Sequence, residues 1–214
     1  MKYLLTVSFV LFALAGSVFA QDKSAADYKN EGNEALRNKD YQKALELYEE
    51  SVANWEEGEP LEDAMLYNMA TCARRIEDYD KAVKYYEMTK EQGFRPDISA
   101  YYIAFSLNKQ DKDEEMESFL VNAVEEFGTS KYVGHMKKML VTYYLQQGSE
   151  PYNEASQILA SAQNADPSQY EEINSRANEA FSNAKPWFEK VLKYDADNAS
   201  AKASLKEINN RLAQ

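Results

Sequence analysis

Cysteine, histidine and glycine are scarce in this chain of 214 residues, which has one cysteine, one histidine, seven glycines and five prolines. A lone cysteine, Cys72, excludes an intrachain disulfide, so stability has to come from packing. A metal site wants at least three converging ligands, and His135 and Cys72 fall in different stretches of the chain. No glycine-rich phosphate loop and no serine-nucleophile elbow is present. Acid pairs such as Glu114-Glu115, Glu125-Glu126 and Glu171-Glu172 read as solvated helix faces. These shortages argue against an enzyme and imply no cofactor and no metal. Cys72 is expected as a small buried hydrophobe, and His135 as a surface or partly buried helix residue.

The first twenty residues, MKYLLTVSFVLFALAGSVFA, join one lysine to an apolar run from Tyr3 to Ala15 and end in Val18-Phe19-Ala20. That is the pattern of a cleaved export leader over 1–20, with the mature chain starting at Gln21. The apolar run is shorter than the ~20 residues a membrane span needs, and no later segment is long and apolar enough to cross a bilayer. The leader points to an exported protein, periplasmic or secreted. The net charge is −12, and removing the leader, which carries Lys2 and no acid, makes it −13. Such a charge repels phosphate backbones and anionic lipid, so nucleic acid and membrane surfaces are not expected partners.

Apolar residues recur at three- and four-residue spacing and nothing alternates with period two, so the chain is predicted to be all-α. It also repeats. "YQKALELYEES" (41–51) superposes on "YDKAVKYYEMT" (79–89) at a constant offset of 38, and "YNMATCARR" (67–75) on "YYIAFSLNK" (101–109) at an offset of 34. Each pair has an upstream helix A and a downstream helix B. The small residues Gly32, Ala70 and Ala104 on A, and Ala44 and Ala82 on B, are expected where the two helices approach. Gly32 is telling, because glycine in a helix interior costs about 1 kcal/mol against alanine. Turns are expected at Asn38-Lys39-Asp40, Asp78, Asp111 and Gly148-Ser149-Glu150-Pro151.

On these residues the chain resembles the tetratricopeptide repeat family, whose 34-residue helix-turn-helix unit carries such small and aromatic positions. The resemblance rests on Gly32, Tyr41, Ala44 and Tyr48 in the first unit, and on Leu66, Ala70, Tyr79, Ala82 and Tyr86 in the second. It implies an α-solenoid of stacked antiparallel helix pairs over 21–199. The units would lie at about 25–58, 63–96, 97–130 and 131–167, the last a pair 135–148 and 152–167. A degenerate unit, 168–198, is expected as one long helix kinked or broken just before Pro186. Residues 199–214 would form a capping helix with Leu205, Ile208 and Leu212 inward.

In such stacks the A helices line the concave side, so candidate binding residues are those on A helices outside the packing positions. They are Lys29 and Asn33 in the first unit, with Leu36 and Arg37. The second unit supplies Tyr67, Asn68, Thr71, Arg74 and Arg75, and the third Tyr101, Tyr102, Phe105 and Asn108, with Lys109. Basic and aromatic residues thus gather on one face of an acidic protein, a composition enriched in interface hot spots. Lys29, Asn33 and Asn68 match three positions of the carboxylate clamp of chaperone-binding members. Ile98 and Tyr102 stand where the remaining lysine and arginine would be. The reading is an interaction module, adaptor or assembly factor that binds a peptide or protein in its groove. A self-associating structural solenoid and an aromatic groove for glycan are the alternatives.

Overall fold

The computed structural model describes residues 23–213, so the leader expected over 1–20 lies outside the described residues. Three helix pairs come first: α1 (Ala25–Arg37) with α2 (Tyr41–Ala53), α3 (Asp63–Arg75) with α4 (Tyr79–Glu91), and α5 (Pro96–Lys109) with α6 (Asp113–Glu126). Two long helices follow, α7 (Val133–Ser161) and α8 (Tyr170–Tyr194), joined through two short 3₁₀ turns, and then α9 (Ala199–Leu212). Among the described residues there is no strand, and neighbouring helices pack in sequence as a solenoid.

The turns inside the first three pairs share one device. Lys39, Glu77 and Asp111 each adopt a left-handed backbone, at φ 63°, 64° and 55°, directly after an A helix. Their spacing reproduces the offsets of 38 and 34 seen in the sequence. In the first two pairs the next residue is an aspartate, Asp40 or Asp78, whose side chain accepts the amide of Lys43 or Lys81 and so caps the B helix. At the start of the stack Ser24 and Asp27 form a reciprocal capping box.

The close approach expected at Gly32 is present. A β-carbon on Gly32 would lie 2.9 Å from Cδ1 and Cε1 of the fully buried Tyr48. Ala44, Ala70, Ala82 and Ala104 are likewise wholly buried in a core continuous from α1 to α9. Cys72 belongs to that core, and burial pushes its thiol up to about 12. Lys81 of α4 pairs with Glu49 of α2 at 2.7 Å, and Lys190 of α8 with Glu117 of α6 at 2.8 Å, on a half-exposed surface where such pairs contribute little.

Three expectations are corrected. The turn at Gly148–Pro151 does not form, and α7 runs unbroken from 133 to 161, so 131–167 is not a helix-turn-helix pair. Gly148 instead serves a crossing: its β-carbon would meet Trp187 Cβ at 3.1 Å and Phe188 Cζ at 3.3 Å. Packing against α8 along this length outweighs the local breaking tendency of glycine and proline. The single long helix expected around Pro186 does form, as α8, but it is not broken there. Pro186 lies on the exposed side of the helix, as does Ser182, whose carbonyl loses its amide donor and can be met by water. In α9, Leu205 and Ile208 are buried against α8 as expected, whereas Leu212 is 38% exposed and Ala201 takes an inward place instead.

Candidate functional site

Tyr67 of α3 and Tyr101 and Tyr102 of α5 meet, through Tyr86, in a continuous aromatic ladder. Tyr86 of α4, fully buried, stacks on Tyr102 with centroids 5.3 Å apart and meets the edge of Tyr67 at 5.8 Å. Tyr102 touches Tyr101 at 5.1 Å, and Tyr101 stacks on Tyr132 at 5.9 Å and lies 5.6 Å from His135 of α7. Tyr67, Tyr101, Tyr102 and Tyr132 are half-buried, so each keeps part of its ring open to solvent.

Two arginines lie on this ladder. The Arg74 guanidinium sits 4.1 Å from the centroid of Tyr102, and its Nε donates to the Tyr86 hydroxyl at 3.4 Å. Thr71 Oγ1 lies 3.3 Å from the same hydroxyl. Burial pushes the Tyr86 phenol up to about 12, partly offset by these two groups. The Arg95 guanidinium sits 5.0 Å above Tyr67 and 5.3 Å from Phe94. Burial also raises the Tyr67 phenol, Arg95 opposes that, and Tyr102 and Tyr132 are near enough to add to it. Tyrosine faces attract guanidinium groups through their quadrupole, by about 0.5–1 kcal/mol at exposed sites.

The first-unit residues are used differently. Tyr48 donates to Asn33 Oδ1 at 2.8 Å and accepts from Asn68 Nδ2 at 3.4 Å, so both asparagines are engaged by a core tyrosine. Lys29 is paired with Glu62. With Ile98 and Tyr102 uncharged, the clamp suggested by Lys29, Asn33 and Asn68 is not assembled as a cationic pocket. Arg75 stands apart over Tyr41 at 5.8 Å, and Phe105 packs on Tyr79 at 6.4 Å beneath Lys109. Asn108 donates to Asp113 at 3.2 Å. It shares with Tyr101 a groove of about 320 Å³ between α5, α6 and α7, which His135, Lys138 and Tyr143 also line.

Sequence reasoning missed Arg95, Phe94, Tyr132 and the placement of His135. For Phe94 and Arg95 the only signal was the short segment Gly93-Phe94-Arg95-Pro96, an aromatic and a cation held between two backbone-restricting residues. Among the described residues no group of three or more histidine, cysteine, aspartate or glutamate side chains is placed to hold a metal ion, and no helix is long and apolar enough to cross a membrane.

Residues 24–91 match the tetratricopeptide repeat family model. A tetratricopeptide repeat protein of Bacteroides fragilis has a similar structure, at 17% identity and a TM-score of 0.54, over 87% of this chain and 98% of its own. A protein of Bacteroides ovatus aligns over 88% of this chain and 98% of its own at 12% identity, with a TM-score of 0.47. No curated protein matches the chain in sequence. The first two helix pairs thus match the tetratricopeptide repeat model, and the chain shares the all-α solenoid fold of the Bacteroides fragilis protein over 87% of its length.

Proposed function

We propose that this protein is a non-enzymatic interaction module that holds a peptide or protein segment on the face formed by α1, α3, α5 and the first half of α7. The observation that carries the reading is the ladder Tyr67, Tyr86, Tyr102, Tyr101, Tyr132, with Arg74 laid across it. Half-open tyrosines fixed by neighbouring rings offer large contact area at little entropic cost, and tyrosine and arginine are the residues enriched in interface hot spots. The leader pattern in the first twenty residues is the support for action in the cell envelope or outside the cell, as an adaptor or assembly factor.

Site-specific photo-crosslinking tests the reading. A photoreactive residue at Tyr101 or Asn108 should trap one and the same partner in intact cells, while one at Gln42 or Lys84, exposed on the B helices, should not. Trapping from the B-helix positions alone would place binding on the other face and refute the assignment.

A further inference from the structure

Arg74 and Arg95 share a feature that sets the chemistry of the ligand. Among the described residues neither has a carboxylate within ion-pair distance, although acids outnumber bases 36 to 24 in this chain. By contrast Lys29, at the far end of the same face, is neutralised by Glu62. Both guanidinium groups sit over tyrosine rings, which hold them in place without cancelling their charge. Arg95 is further held by an unusual backbone, with a left-handed φ of 48° directly before Pro96, the first residue of α5. A residue other than glycine in that region is strained, and such strain persists where the surroundings fix it. The result is a cation aimed at Tyr67 from outside the helices.

We propose that the segment bound on this face is an internal acidic stretch of a partner, its side-chain carboxylates taken by Arg74 and Arg95 while its body lies against Tyr67, Tyr102 and Tyr132. The inference rests on the reading that this face binds a segment. Guanidinium groups match carboxylates in shape as well as charge, and the Tyr67 hydroxyl, whose proton burial helps to retain, can donate to the same acceptors. A chain terminus is a different source of carboxylate. The residues that would capture one are occupied, since Asn33 and Asn68 serve Tyr48 and Lys29 serves Glu62.

Fluorescence anisotropy on the chain beginning at Gln21 tests this with three short fluorescein-labelled peptides. One alternates Asp and Glu with Leu and is amidated at its C-terminus; the second replaces every acid by Asn or Gln; the third is that neutral peptide with a free C-terminus. The amidated acidic peptide should bind, more weakly as salt rises, and Arg95→Gln alone or with Arg74→Gln should weaken it about tenfold or more. Both neutral peptides should bind at least about tenfold more weakly than the acidic one. Equal binding of the two amidated peptides would overturn the acidic assignment, and would leave the groove standing if Tyr102→Ala weakens both. Preference for the free terminus would show that an end is read, not an internal stretch. Absence of acidic-peptide binding up to roughly 1 mM, or binding unchanged in the arginine variants while their melts stay native, would also overturn it.

Discussion

The ring of Tyr48 fills the space that a side chain on Gly32 would occupy, with two ring carbons 2.9 Å from the missing β-carbon. Tyr48 is wholly buried, and its hydroxyl is tied to Asn33 and Asn68, so the ring has little room to move. The one glycine of α1 is therefore what lets α2 approach.

Gly32→Ala should lower stability although alanine is the better helix former. Overpacking a fixed core costs about 1–3 kcal/mol, against the ~1 kcal/mol gained in helix propensity. Gly148→Ala meets its neighbours at 3.1 Å and beyond, so its loss should be smaller. Urea melts of both variants check this order, and a Gly32→Ala variant more stable than the parent would contradict it.

Cys72 should ignore a water-soluble thiol reagent in the folded protein and react once denaturant is added. It is fully buried, and its thiol is held near 12, far from the thiolate form that reacts. Fast labelling under native conditions would place it at the surface.

Alkali should unfold the protein through its tyrosines. Burial pushes the phenols of Tyr48 and Tyr86, and that of Tyr152 together with its bond to Glu207, up to about 12 from an ordinary value of 10.0. Above pH 10 the unfolded chain loses these protons first, so it binds fewer than the folded one and stability falls as pH rises. The contribution is whole below pH 10 and is lost between about 10 and 12. Phenolate absorbance should rise together with loss of helical circular dichroism in that window. A full rise in absorbance with helicity intact would contradict the assignment of Tyr48 and Tyr86 to the core.

Much of the solenoid was legible because its signals are local and repeated. Lys39, Glu77 and Asp111 mark the turns at the offsets of the sequence repeat, and Gly32 announces a crossing before any partner is known. Gly148 carried the same message in a misleading setting. Beside Ser149 and Pro151 it read as a turn, and only the presence of α8 alongside makes it a second crossing point. The site was partly legible for a similar reason. Helical register placed Tyr67, Arg74, Tyr101 and Tyr102 on one face, but Arg95 and Tyr132 come from connections between helices, where no periodicity says which way a side chain turns.

The central claim is that the Arg74 and Tyr102 pair holds the partner, and its most direct test is the affinity of the crosslinked partner for wild type and for Tyr102→Ala with Arg74→Ala. Removing a central arginine and tyrosine should cost ~2 kcal/mol or more, about thirtyfold in Kd. Helicity should stay native, with a modest fall in Tm because both side chains also touch Tyr86. Tyr86→Ala, which empties a fully buried site, should lower Tm far more. A double variant that stays folded and binds its partner at full strength would contradict the account.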